Sequence, residues 1–213
     1  MIAEGEEPPA QRLPPLKIAV VLLAAGLSSR MGARNKLLID IDSEPLVRRT
    51  GRTYLAAGLD VYAVVGHESA AVRGALSDLP LNFIENPRYA EGQQTSVRAG
   101  IDALSDGYDA VLVALADQAA LTPADIRDLL HAFAEGDRDR VLIPFYNGQR
   151  GNPVLFPASI IAKIRASGHD AAYREFIDAN PHLTRHYEAS SDHFIIDIDT
   201  PEDLRSFADR WPS

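Results

Sequence analysis

From Leu23 to Leu38 the chain reads Leu-Ala-Ala-Gly-Leu-Ser-Ser-Arg-Met-Gly-Ala-Arg-Asn-Lys-Leu-Leu. Gly26 and Gly32 let backbone N–H groups come close to an anion. Ser28 and Ser29 add hydroxyl donors, and Arg30 and Lys36 add full positive charges beside them. This set of donors suits the polyphosphate of a nucleoside triphosphate. It is not a Walker loop, because Gly32 is followed by Ala33 and five residues separate the two glycines. Nor is it the Gly-x-Gly-x-x-Gly turn that cradles dinucleotides.

Two acidic elements could complement those cations. Asp117 directly follows the apolar run Ala110 to Leu115, and Asp197-Ile198-Asp199 follows Phe194-Ile195-Ile196, which reads as a strand. Alternation along that strand would point Asp197 and Asp199 to one side. Carboxylates sharing a side repel unless a cation or base lies between them. Magnesium prefers oxygen ligands and is commonly held by one or two carboxylates plus phosphate oxygens. The plainer role for Asp117 is that of a turn or helix-entry residue. Glu202 and Asp203 read as caps of the last helix, not as ligands. His182 and His186 have the i, i+4 spacing of a zinc helix, but Pro181 precedes them and no third ligand lies nearby in sequence.

The elements that must position these residues alternate from residue 17 onward. The continuous apolar run Ile18 to Leu23 predicts a strand buried on both faces of a parallel sheet. The basic loop then lies at the carboxyl edge, where α/β sheets bind ligands. Pro45 to Ala57 reads as a helix, Val61 to Val65 as a strand, Ser69 to Leu76 as a helix and Leu81 to Ile84 as a strand. Ser96 to Leu104 follows as a helix and Ala110 to Leu115 as a strand. The order predicts a doubly wound, mostly parallel α/β sheet with right-handed crossovers and helices on both faces. Thr122-Pro123-Ala124-Asp125 and Thr200-Pro201-Glu202-Asp203 each read as a capped helix start. Their apolar stripes are Ile126, Leu129, Leu130 and Phe133 in one helix, and Leu204, Phe207, Ala208 and Trp211 in the other. Those aromatic residues are expected in the core. Val141 to Phe145 and Pro153 to Phe156 flank a turn-rich stretch and predict an antiparallel pair.

Composition narrows the function classes. The formal charge of −9 argues against a nucleic-acid partner held by bulk electrostatics. The absence of cysteine removes disulfides, thiolate nucleophiles and thiolate-bound metals, and fits a cytoplasmic protein. No apolar run reaches the roughly 20 residues of a membrane span. Residues 1–16 read as a disordered acidic, proline-rich leader, and 17–213 as one domain.

The loop Leu-Ala-Ala-Gly-x-Ser-Ser-Arg-Met-Gly closely resembles the signature of the molybdenum cofactor nucleotidyltransferase-like family (MobA-like NTP transferases). It looks most like their cytidylyltransferase branch; the guanylyl branch more often reads Leu-Ala-Gly-Gly. The resemblance runs from Lys17 to Trp211 and implies a single Rossmann-like domain of the nucleotide-diphospho-sugar transferase type. It implies that Leu23, Ala24, Ala25, Gly26, Ser28, Ser29, Arg30 and Lys36 bind nucleotide, with Arg30 and Lys36 catalytic. Ala116-Asp117-Gln118 resembles the family's metal-binding acidic motif, which would place Asp117 on both nucleotide and metal. Family members carry Asp or Asn just before the Thr-Pro-Glu-Asp position, which points to Asp199 as the second magnesium ligand and leaves Asp197 in reserve. Glu91 to Val97 resembles a Gly-x-x-x-Ser nucleotide loop and implicates Gln94 and Ser96, although a hydroxyl there also caps a helix. Gly151 to Phe156 resembles an acceptor-facing motif with Asn152 where histidine is frequent. One departure stands out: Gly168 to Arg174 replaces the Gly-Asp-x-Gly-Ala-Arg common in the cytidylyl branch.

The implied function is a magnesium-dependent transfer of CMP from CTP to the phosphate of molybdopterin. Alternatives are GTP as donor, another phosphorylated acceptor, or a noncatalytic nucleotide-binding partner of a molybdoenzyme or its chaperone.

Overall fold

Strand β1 (Ile18–Ala24) is buried along its whole length and forms the middle of the molecule. Its side chains alternate between two separate cores. Val20 and Leu22 pack on one face with Val47 and Tyr54 of α1 (Leu46–Ala56) and Leu76 of α2 (Ser69–Leu76). Ala19 and Val21 pack on the other with Val97 and Ile101 of α3 (Gln93–Ala103). A strand buried on both faces has no polar side, which is why its sequence shows no alternation. The computed structural model describes residues 16–28, 31, 35–166 and 173–211. Apart from Leu16, the expected leader lies outside the described residues, as do Ser29, Arg30 and Gly32.

Beyond β1 come a short hairpin, β2 (Asp40–Ile41) and β3 (Glu44–Pro45), then β4 (Asp60–Val65), β5 (Asn82–Glu85) and β6 (Ala110–Leu115). Helix α4 (Pro123–Glu135) leads to β7 (Val141–Tyr146), β8 (Gln149–Arg150) and β9 (Val154–Pro157). Helices α5 (Ala158–Ala166) and α6 (Tyr173–Ala179), strand β10 (Thr184–Glu188) and helix α7 (Pro201–Arg210) complete the chain. The main sheet has the order β10-β7-β9-β6-β1-β4-β5, with β8 folded back onto β7. All pairings along that order are parallel except those of β9, which runs antiparallel to both β6 and β7. The expected antiparallel pair is therefore present, with β9 inserted as a wedge between two parallel strands.

The chain winds outward from β1 to β4 and β5, then returns through α3 to pair β6 with the opposite edge of β1. Reversal of strand order opens a crevice at the carboxyl ends of β1 and β6, where such sheets bind ligands. One crossover departs from the expected right-handed rule. Helix α4 lies in the same core as α1, yet β6 to β7 moves along the sheet in the opposite direction from β1 to β4. That connection therefore turns with the opposite hand.

Both predicted capping boxes are present: Thr122 accepts from the Asp125 backbone and Thr200 from that of Asp203, each carboxylate returning the bond. Each is worth about 1 kcal/mol. Glu202 is not part of its cap and pairs with Arg205 instead. In α7, Phe207 is buried and stacks on Trp211 with centroids 4.8 Å apart, while Ala208 is exposed. The predicted strand at Phe194 to Ile196 is absent. Residues Asp192–Ile195 form a 3-10 turn. The Phe194 carbonyl accepts from the Asn152 backbone at 2.9 Å and from Gln118 Nε2 at 2.9 Å, and its ring is buried. These side-on partners take the place of a strand ladder. His182 lies in a 3-10 turn and His186 in β10, stacked on Phe145 at 4.0 Å, so no zinc helix exists there.

Candidate functional site

Beyond β1, Ser28 adopts φ of 52° and its hydroxyl donates to Asn35 Oδ1 at 3.3 Å. Asn35 is buried and caps the 3-10 turn Lys36–Leu38, accepting from the Leu37 backbone at 3.1 Å. Leu37 is buried in the core. The capping bond and the anchored leucine fix where the Lys36 side chain starts. Across the crevice, Thr50 of α1 donates to the Ala116 carbonyl at 3.1 Å, and the Ile198 backbone donates to the Asp117 carbonyl at 3.0 Å. The acidic segment 196–199 is thereby held against the end of β6, and the Asp203 carboxylate accepts from the Asp199 backbone at 3.1 Å.

The Lys36 ammonium joins these elements. It donates to Asp117 Oδ2 and, at 2.6 Å, to Asp199 Oδ1. Burial opposes its charge, but the two carboxylates outweigh that cost and hold its pKa above the ordinary lysine range. Asp117 Oδ1 is buried and has no hydrogen-bond partner among the described residues. Asp197 faces the same cluster, although from irregular backbone and not from the strand alternation expected. Burial first, then the Asp117 and Asp199 charges, push its pKa up to about 6.

The sign of that shift gives a test. A native pKa near 6 lies above the unfolded value of about 3.9. Between those values the native state holds a proton that the unfolded chain has released, so the penalty for this group begins near pH 4, grows up to pH 6 and is complete above it. Replacing Asp197 by Asn removes the penalty. In metal-free buffer, Asp197→Asn is expected to gain about 1 kcal/mol at pH 8 after allowance for solvent screening, and about half of that at pH 5. Thermal melts at the two pH values measure it; an equal change at both would contradict the assignment.

A cleft of about 430 Å³ opens over these groups. Its walls include Leu23, Ala25, Gly26 and Ser28 from the basic loop, Lys36, and Asp117, Asp197 and Asp199. Ala24 is buried as the last residue of β1 and does not line it. Ser96 does, with its hydroxyl accepting from Asn86 Nδ2 at 2.9 Å. Gln94 does not: it is exposed and donates to the Glu91 carbonyl at 3.0 Å, capping its own turn. Gln93 takes its place on the wall. Arg30 and Ser29 lie outside the described residues. Sequence reading passed over Asn35, whose signal was an asparagine in the N-cap position before Lys-Leu-Leu. It also passed over Asn86 and Tyr89, which carry no local pattern; Arg174 entered only as the end of the departing stretch Gly168 to Arg174. A larger hollow of about 590 Å³ lies behind the acidic segment against α7 and lacks a lysine.

With this geometry in place, comparison with known proteins supplies the family. The model of the MobA-like NTP transferase domain matches residues 20–186. The chain belongs to this family. Its relatives include nicotine blue oxidoreductase of Paenarthrobacter nicotinovorans, 29% identical and covering 86% of this chain and 93% of that protein. They also include the molybdenum cofactor cytidylyltransferase of Escherichia coli, 24% identical over 91% of this chain and 97% of the relative. A nucleotidyl transferase structure from Methanothermobacter thermautotroptrophicus shares the fold, with a TM-score of 0.77, 24% identity, and coverage of 91% of this chain and 97% of that one. The MobA-like family membership makes a nucleotidyltransferase fold and site the frame for the cleft. Among the described residues, no helix is long and apolar enough to cross a membrane.

Proposed function

We propose that this protein transfers CMP from CTP to the phosphate of a molybdopterin-type acceptor and releases pyrophosphate. The observation that carries the reading is the meeting of Lys36, at the end of the basic loop, with Asp117 and Asp199 at the crevice between β1 and β6. The loop backbone from Leu23 to Ser28, with Arg30, would hold the triphosphate, and Ser96 would meet the nucleotide from the start of α3.

The acidic pair fits a divalent ion. Its oxygens converge on one ammonium, and the buried Asp117 Oδ1 has no partner among the described residues. Among the described residues no cluster of three acidic or histidine ligands forms. Two carboxylates suffice for magnesium, which usually keeps water and substrate phosphates as its other ligands. Asp117 and Asp199 would hold it, with Asp197 beside them, and it would supply charge neutralisation at the phosphoryl oxygens.

In the proposed reaction an acceptor phosphate oxygen bonds to the α-phosphorus, and the bridge to the β-phosphate breaks with its electron pair leaving on pyrophosphate. A phosphate monoester has a second pKa of about 6, so it is already ionised near pH 7 and needs no base. Lys36 and Arg30 would offset the charge on the leaving oxygens, and the cleft walls would align the two substrates. The loaded product would pass to a molybdoenzyme or its chaperone in the cytoplasm.

Base choice follows from Ala25. Its β-carbon, absent in a glycine, narrows the space beside the loop backbone, which favours a pyrimidine over guanine. Such discrimination is worth about 1–3 kcal/mol, or roughly 10- to 200-fold. The test is kcat/KM for CTP against GTP with molybdopterin and magnesium, read as pyrophosphate release. A ratio at or below one transfers the assignment to a guanylyl donor. No release with any of four nucleotides, where one binds, leaves a noncatalytic binder or the redox chemistry for which the Paenarthrobacter relative is named.

A further inference from the structure

The cleft carries charge of two kinds in two places. The carboxylates Asp117 and Asp199 hold Lys36 over the ends of β1 and β6, and Asp197 lines the same cleft. On the β9 side the wall is formed by Asn152 and Arg174. Arg174 is exposed, and among the described residues it has no hydrogen-bond or ion-pair partner. Asn152 is anchored through its backbone to Phe194, so its side chain is not needed to hold its own loop.

A second guanidinium stands behind the first. Arg150 of β8 pairs with Asp178 at 3.6 Å. Asp178 lies one turn beyond Arg174 on the same face of α6. Arg150 and Arg174 therefore lie near the same stretch of α6, close enough for one charge to act on the other. The Arg150 side chain keeps only 28% of its exposure. Burial and the Arg174 charge both depress its pKa. Like charges repel, and an anion that bonded to one guanidinium and screened the other would relieve that repulsion. Arginine's planar fork matches phosphate oxygens two at a time.

We propose that Arg174, backed by Arg150 and flanked by Asn152, is a phosphate-binding subsite for the second substrate, separate from the triphosphate end at Lys36. The ligand class is a phosphate monoester. This rests on the nucleotidyl-transfer reading and deepens it. The acidic cluster would repel an incoming phosphate, and Arg174 counters that repulsion at the acceptor's non-attacking oxygens. Arg174 is a specificity residue in this role, and Arg150 positions it.

The probe is inorganic phosphate, titrated calorimetrically into the full chain with magnesium, in the absence and presence of a CTP analogue with a non-cleavable α,β-methylene bridge. Phosphate binding is expected to persist with the analogue present. Arg174→Ala should weaken it by about tenfold or more, with Arg174→Lys between the two because one ammonium replaces a fork. Arg150→Ala should weaken it less. Affinity for the analogue should change by less than about threefold, since no triphosphate contact is lost. Unchanged phosphate affinity in Arg174→Ala overturns the proposal. So does an equal loss of analogue affinity, which would assign Arg174 to the triphosphate, or phosphate binding that the analogue abolishes. A phosphate site that depends on Arg174, in a protein that releases no pyrophosphate with any phosphorylated acceptor, would refute nucleotidyl transfer and leave the subsite standing.

Discussion

Lys36→Ala is expected to lower turnover by about 10²-fold or more, the weight of one well-placed charge-stabilising contact in a water-poor site. The structure adds a second effect. The ammonium bridges Asp117 and Asp199, whose side chains are 15% and 22% exposed. Removing it leaves those carboxylates, and Asp197 beside them, without their common counter-ion. Hydrogen bonds to charged groups contribute about 1.5–3 kcal/mol each in buried settings, and partial exposure reduces that. A loss of about 1–2 kcal/mol in metal-free buffer is expected, a few degrees in Tm for a chain of this size. Millimolar magnesium should recover much of the loss, because a divalent ion can replace the missing cation. Steady-state pyrophosphate release and thermal melts with and without magnesium measure both effects. Near-normal turnover in a folded variant would remove Lys36 from the chemistry.

Asp117→Asn separates the metal role from the fold. Asparagine keeps the shape and one oxygen but removes the charge on the group whose Oδ1 is buried without a partner among the described residues. Turnover should fall by about 10²-fold or more if that charge helps stabilise the transferring phosphoryl group. The manganese or magnesium concentration for half-maximal activity should rise by at least about tenfold, as a hard cation loses an anionic ligand. Tm should stay within a few degrees. Lys36 keeps its bond to Asp199 at 2.6 Å, and Asp197 loses one of the charges that raise its pKa. An unchanged metal requirement, measured by direct manganese titration of the nucleotide-free protein as well as by activity, would exclude Asp117 as a ligand.

These expectations show how differently the parts of the site are written into the chain. β1 was legible because a strand buried on both faces must be apolar at every position, and Ile18 to Leu23 is. The two capped helices were legible because a cap is a local bond between residues three apart. The strand β10 was not, since Thr184–Glu188 carries the mixed polarity of an edge. Phe194 to Ile196 has the composition of a strand, yet Gln118 and the Asn152 backbone engage the Phe194 carbonyl from distant parts of the chain. No local window contains those partners.

The basic loop, Asp117 and the Asp197–Asp199 segment were candidates by residue type and by their places after apolar runs. Sequence alone therefore determined the α/β class and which chemical groups were available. Their meeting was decided by topology. The reversal of strand order around β1 brings residues 36, 117 and 199 to one crevice, and the salt bridges across it span 81 and 163 positions. The same cause exchanged Gln94 for Gln93 on the cleft wall, because helix phase relative to the sheet, set by packing of Val97 and Ile101, chooses which glutamine faces inward. It also set Arg174 near Arg150. Composition carries the charge of each residue, but the distance between charges is fixed only when strands far apart in sequence pair.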